Sequence, residues 1–372
     1  MLELVKAGKN VEMIGQAGTG KTTCLKRLAR MMNLEDIPYV MTASTGRAAL
    51  NIGGQTIHSF CGAGIGEEDE DVYLKKVTNS SWYRKAYKRP QVLIIEEISM
   101  LSMKYFDLVN RLAQAVRKSK KPFGGMQVVV CGDYMQLPPV NAEYAFNSQV
   151  YQSMFGDQSC TVVFKDIKRQ TCPDLIKILK EARVGQLSQD SVDKLNACVD
   201  KPVPETLPVK PMILFARRYD VKSYNMDELA KLEGEAKVFN YTWLPSTSLS
   251  KIQNDMIHNA LKRNVQAPPE LHLKVGAQVM LVYNMPDLVP PKFNGSMGVV
   301  TKFSEESGAP FVKFTDGSVV MIPKNEWTGP KKKGQYMQYP LILGWALTIH
   351  KGQVSNAFDR NLSGCFLWVT NF

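Results

Sequence analysis

An apolar stretch, Val11–Ile14, runs directly into Gly15-Gln16-Ala17-Gly18-Thr19-Gly20-Lys21-Thr22, and good helix formers follow from Lys21 to Met32. This order constrains the fold more than any other feature of the chain. The glycines let the backbone curl so that successive N–H groups face one point. The helix that starts there adds the positive end of its dipole. Strand, glycine loop and helix in that order predict a phosphate cradle at the carboxyl edge of a parallel sheet. Lys21 is predicted to reach the outer phosphates of a nucleotide and Thr22 to ligate Mg²⁺. Gly15, Gly18, Thr19, Gly20 and Thr23 complete the expected ATP-binding set.

The rest of the first half supports a parallel sheet. Tyr39–Thr42, Val92–Ile95, Gln127–Cys131 and Thr161–Phe164 are short and apolar on consecutive positions. Strands covered on both faces read this way. Helical patterns at Gly46–Leu50 and Ser102–Arg117 separate them, and alternation of the two kinds gives an α/β fold. A second alternating stretch has a helix over Asp174–Arg183, a strand at Met212–Phe215 and a helix over Val221–Leu232. Between about residue 271 and residue 334 the pattern changes to strand alternation, with turns at Asn294-Gly295 and Asp316-Gly317. A small inserted β-barrel is expected there. The acidic run Glu67–Asp71 reads as a solvated loop, and Trp345 in the apolar run 341–350 reads as core.

Two strand ends carry further chemistry. Val92–Ile95 finishes in Glu96-Glu97, where Glu96 is expected to hold the metal and Glu97 to orient the attacking water. Gly132-Asp133-Tyr134-Met135-Gln136 follows the third apolar strand, and Gln136 is an uncharged group suited to sensing the terminal phosphate.

Composition narrows the partner. Lys plus Arg is 46 against 35 Asp plus Glu, a net charge of +11, which suits a polyanion. No apolar run approaches the roughly 18 residues of a membrane helix. The seven cysteines show no CxxC pair, and with four histidines a zinc site is not expected. Reduced thiols in an intracellular protein are the expectation, with a nuclear setting ahead of a mitochondrial or viral one.

Taken in order, GQAGTGKT, TASTGRAALNIGGQTIHSF (42–60), LIIEEISML, GDYMQLPPV, FKDIKRQ (164–170), ILFARRYDVKSYN (213–225), LKVGAQVMLVYN (273–284), NGSMGVV (294–300) and LGWALTIHKGQ (343–353) resemble the motifs of PIF-type DNA helicases of superfamily one. The resemblance implies two RecA-like P-loop domains with ATP between them. The first would span residues 1–165, with a wedge insertion at 61–89. The second would comprise 166–270 and 335–372, interrupted by the small barrel at 271–334. It implies ATP-driven, five-prime to three-prime movement on single-stranded DNA, unwinding of forked duplex, and roles in DNA repair, recombination and telomere maintenance. A monomer is expected. Arg169 matches the family's arginine on the γ-phosphate. Thr45, Gly46, Arg47, His58 and Phe60, with Thr348, His350 and Lys351, match its DNA-contacting segments, His58 and Phe60 offering flat faces to bases. The basic and aromatic stretch Ser81–Arg89 would lie on the wedge.

Three departures are expected to matter. Glu96 stands where the family has Asp. The family's adenine-reading glutamine upstream has no counterpart before the P-loop strand. The resemblance fades after Gln353, so a last arginine motif and the final strands of the second sheet are expected to be missing, and Arg360 matches no motif. A catalytically impaired single-strand binder is the alternative expectation.

Overall fold

The computed structural model describes residues 1–353 apart from 65, 67, 200–206, 208 and 330–332; within that span the side chains of Arg47, Leu50, Arg263, Asn264, His350 and Gln353 lie outside the description. The chain divides into two compact units, Met1–Val192 and Asp193–Phe372. The segment carrying Arg169 therefore groups with the first unit, where a boundary at residue 165 would have put it in the second. Long-range hydrogen bonds and an ion pair described below hold it there.

The first unit is built on a six-stranded sheet: β1 (Val11–Gly15), β2 (Tyr39–Ala43), β3 (Gln55–Thr56), β4 (Val92–Glu96), β5 (Gln127–Gly132) and β6 (Thr161–Phe164). All pairs are parallel, in the order β3-β2-β4-β5-β1-β6. This is a RecA-like α/β sheet. The five apolar runs are its five longer strands, and β4 is buried at every residue. Polar, two-residue β3 carries no periodic signal. Parallel strands bring their carboxyl ends to one edge, where ligands of open α/β sheets bind. Gly15, Ser44, Glu97, Asp133 and Lys165 all leave the sheet at that edge.

The core on one face joins Leu93, Ile95, Val128 and Val130 to Phe106, Val109 and Leu112 of the helix Met103–Arg117 and to Phe60, Tyr87 and Phe123. The acidic run is not wholly loop, because Glu70 and Asp71 open the helix Glu70–Asn79, where carboxylates favour the N-terminal dipole. Glu70 also pairs with Arg111 at 2.7 Å. The next helix, Ser81–Lys88, turns Tyr87 fully inward and leaves Trp82 exposed.

Phe60 is a correction. It is 1% exposed, packs on Tyr87 at 4.9 Å between ring centroids, and offers no face to a base. The short helix Ile57–Cys61 puts Ile57, Phe60 and Cys61 on one apolar side, and burying that side outweighs exposing the ring. Phe60→Ala is expected to destabilise the first unit by about 3–4 kcal/mol, read by denaturant unfolding. An unchanged midpoint with weakened DNA binding would restore the base-facing reading.

In the second unit β7 (Ile213–Phe215) and β18 (Ala346–Thr348) pair in parallel. Between them in sequence lie β8 (Lys237–Asn240), β9 (Thr242–Leu244), β10 (Glu270–Leu273), β11 (Gln278–Leu281), β12 (Met297–Phe303), β13 (Pro310–Phe314), β14 (Val319–Met321), β15 (Asn325–Thr328), β16 (Gln335–Gln338) and β17 (Leu341–Leu343). The expected barrel is corrected: among the described residues these strands form open sheets, β14-β13-β12-β11-β17, β15-β16-β9 and β10-β8. After β14 the chain leaves to pair β15 with β16 and β9, and the vacant edge of β11 is taken by β17, so the ladder does not return on itself. Trp345 is buried, as its apolar neighbours suggest. Buried Asn225 accepts from the Trp345 and Ala346 amides and donates to the Ala346 carbonyl, tying the helix Arg218–Ala230 to β18. Arg360 falls outside the described residues.

No described helix is long and apolar enough to cross a membrane. Among the described residues no cluster of three or more His, Cys, Asp or Glu could hold a metal, and the described cysteines are free.

Candidate nucleotide-binding site

The glycine loop leaves β1 and enters the helix Lys21–Leu34 with Gly18 at φ 78° and Gly20 at φ 93°, left-handed positions that glycine adopts without strain. Gly15 is glycine for a different reason: a Cβ there would lie 2.4 Å from the Phe164 carbonyl oxygen of the adjoining strand. Thr19 is buried and donates to the Gln16 carbonyl at 2.8 Å, bracing the loop from inside. Lys21 Nζ donates to the Gly15 and Gln16 carbonyls at 2.7 and 3.1 Å, so the ammonium already lies across the cradle. Thr23 sits exposed on the first helical turn.

Glu96 meets Thr22 across an intervening strand. β5 lies between β4 and β1, and Cys131 is level with both Glu96 and Met13. The Thr22 hydroxyl donates to Glu96 Oε1 at 2.7 Å. Glu96 Oε2 is buried and has no hydrogen-bond partner among the described residues. Burial pushes the Glu96 carboxyl up to about 7, with the neighbouring Glu97 charge adding to the rise; the Thr22 hydroxyl and Lys21 oppose it. A hydroxyl beside an unsatisfied carboxylate oxygen is the donor set a hard divalent cation takes. The longer glutamate therefore still reaches the threonine.

Glu97 is half-buried, in a left-handed conformation at φ 57°, ψ 46°. Burial and nearby Asp133 raise its pKa, while Lys21 and Arg169 work against the rise. Both cations thus act on the carboxylate expected to handle water. Gln136 Nε2 donates to Asp133 Oδ2 at 2.9 Å.

Two partners at this edge have no local sequence signal. Asp133, 2% exposed, receives Arg183 at both carboxylate oxygens, from the helix Pro173–Arg183 fifty residues on. The amides of Lys168 and Arg169 both donate to the Gly18 carbonyl, at 2.7 and 3.1 Å. Arg169 is thereby fastened by its backbone to the glycine loop itself, and a Cβ on Gly18 would lie 2.8 Å from Arg169 Cβ.

The residues matched to DNA contacts fall into two groups. In the first unit Thr45 accepts from the Ala48 amide at 3.2 Å and caps the helix Gly46–Asn51. His58 packs at a tilt of 49° against Tyr105, at 4.5 Å between centroids, and burial holds its pKa below the usual imidazole value. Arg47's side chain lies outside the described residues, as does that of His350 in the second unit. There Thr348 is buried at the end of β18, accepting from the Lys351 amide at 3.3 Å, and Lys351 is exposed.

Comparison with known proteins agrees with this architecture. A family model described as PIF1-like helicase matches residues 3–187, and one described as DNA helicase Pif1, 2B domain, matches 257–303. The ATP-dependent DNA helicase PIF1 of Saccharomyces cerevisiae is 33% identical over 315 residues, covering 82% of this chain and 35% of that protein. A crystal structure of Pif1 helicase from Candida albicans superposes with a TM-score of 0.76 at 32% identity, covering 95% of this chain and 85% of that one. A Bacteroides Pif1 helicase in complex with ADP-AlF3 and ssDNA gives 0.61 at 26% identity, covering 95% and 83%. The chain spans 35% of the yeast protein's length and about half of the other curated relatives it matches. With the first unit matched by one family model, part of the second by another, and a solved relative covered over most of its length, the chain belongs to the PIF1-like helicase family.

Proposed function

We propose that this chain is the motor part of an ATP-dependent DNA helicase that moves five-prime to three-prime on single-stranded DNA and opens forked duplexes. One observation carries the reading: Lys21, Thr22, Glu96, Glu97 and Asp133 with Gln136 converge on one sheet edge, with Arg169 anchored on the same glycine loop. That set suits hydrolysis of a terminal phosphate rather than storage of a nucleotide. Gly15, Gly18, Thr19, Gly20, Lys21, Thr22 and Thr23 would hold ATP. Thr22 and Glu96 would hold Mg²⁺, and the unpartnered Glu96 oxygen supports this. When bound, the ion would neutralise charge on the phosphates.

Glu97 takes a proton from the attacking water, and burial raises its proton affinity while the nearby cations Lys21 and Arg169 work against that rise. Gln136, held by Asp133, reports the state of the terminal phosphate. Arg169 offsets its charge as the bond breaks. Thr45, Gly46 and Arg47, with Thr348, His350 and Lys351, grip the DNA backbone. His58, whose neutral form burial favours, offers bases a flat surface. The names of the relatives support the substrate: the yeast relative is named an ATP-dependent DNA helicase, and the Bacteroides one was captured with ssDNA. The convergence of the nucleotide-side residues argues against an inert strand binder.

The test is strand displacement on partial duplexes carrying a single tail. A five-prime tail with ATP is expected to support unwinding and a three-prime tail to give none. Equal unwinding from both tails would sink the polarity, and no unwinding from either, with binding intact, would leave only a strand binder.

A further inference from the structure

Ser44 has no role in the reading so far, yet it touches both halves of the proposed machinery. Its amide donates to the Glu96 carbonyl at 3.0 Å, and its hydroxyl donates to the Glu97 carbonyl at 2.7 Å. It follows β2 directly, opposite the end of β4, where Ala43 is level with Glu96. The next residue, Thr45, caps the helix Gly46–Asn51.

Glu97 needs outside support. At φ 57° it occupies a left-handed conformation that residues with a Cβ avoid, and such a conformation persists only where surrounding contacts enforce it. The Ser44 hydroxyl supplies one such contact, on the peptide that sets the direction of the Glu97 side chain. A single peptide link therefore separates the group steadying Glu97 from the residue that opens the DNA-side helix.

We infer that Ser44 is a positioning residue that transmits DNA engagement at Thr45–Gly46 to Glu97, and so sets how strongly DNA stimulates ATP hydrolysis. The inference rests on the proposed function, because it needs the Thr45 segment to meet DNA. DNA on Thr45 and Gly46 draws the start of that helix into one arrangement. Ser44 moves with it, and its two hydrogen bonds carry the shift to the Glu96–Glu97 backbone. Without DNA, Glu97 visits its productive orientation less often.

The experiment uses the full chain as wild type, Ser44→Ala and Ser44→Thr. ATP turnover is measured with and without oligo(dT), together with KM for ATP and oligo(dT) affinity by fluorescence anisotropy. Ser44→Ala is expected to lower the DNA-stimulated kcat about tenfold, the worth of one well-placed hydrogen bond. KM for ATP and DNA affinity should stay within about twofold of wild type by the same reasoning, and turnover without DNA should fall by clearly less than the stimulated rate. Ser44→Thr, which keeps the hydroxyl, should restore most of the stimulation. Should Ser44→Ala fail to fold, Ser44→Cys, of similar size and with a weak donor, carries the same comparison. Equal loss with and without DNA, loss through DNA affinity, full stimulation in Ser44→Ala, or no rescue by threonine would each overturn the inference. A wild type that oligo(dT) does not stimulate would instead overturn the proposed function.

Discussion

Lys21→Ala is expected to lower ATP hydrolysis by about 10³-fold, the order seen when one preorganised donor to developing charge is removed. The geometry explains why the loss should be catalytic and not a failure to fold. Lys21 is half-buried at the mouth of the loop, and its two bonds go to the carbonyls of Gly15 and Gln16. Water can satisfy those carbonyls in the variant. The ammonium also stands near Glu96 and Glu97, so its loss removes a charge that helps keep both ionised. The checking measurement is steady-state phosphate release at saturating DNA, with thermal melting as the folding control. Stability on melting should change by about 1 kcal/mol or less, since the side chain removed is hydrogen-bonded only at the open mouth of the loop, where water replaces it. An unaltered hydrolysis rate would remove the nucleotide site from the account altogether.

Glu97→Gln is expected to slow hydrolysis by about 10²–10⁴-fold while leaving ATP binding almost intact, because a general base contributes to the chemical step and not to ground-state affinity. The amide matches the carboxylate in size and cannot take the proton from water. Glu97's backbone conformation is held by contacts to main-chain atoms, Ser44 among them, so the substitution should not disturb it. Binding of a fluorescent ATP analogue alongside single-turnover hydrolysis separates the two effects. If the glutamine form turns ATP over at the wild-type rate, the proton goes elsewhere and Glu97 is only structural.

Much of the first unit was legible because its information is local. A strand buried on both faces must be apolar at consecutive positions, and five such runs mark the five longer strands. The P-loop was readable for the same reason, since its glycines, lysine and threonine act within eight consecutive residues. Strand β3 leaves no sequence signal because it is only two residues long and both, Gln55 and Thr56, are polar. Phe60 is decided by packing: Ile57, Phe60 and Cys61 show the i, i+3, i+4 spacing of a buried helical side. The TIHSF motif carries a likeness to DNA-contacting segments, but its periodicity is that of packing.

Sequence alone determined the parallel α/β sheet, the cradle at the end of β1 and the paired carboxylates at the end of β4, because each depends on residue types a few positions apart. Tertiary structure decided the rest. Only the folded chain brings Arg183 to Asp133, sets the amides of Lys168 and Arg169 on the Gly18 carbonyl, and joins Ser44 to Glu97. It also decided that β17 takes the edge of β11, leaving an open sheet where turns and alternation had suggested a barrel. The physical reason is the same in each case: these contacts join groups fifty or more residues apart, and a hydrogen bond or strand pairing at that separation leaves no periodicity in either segment.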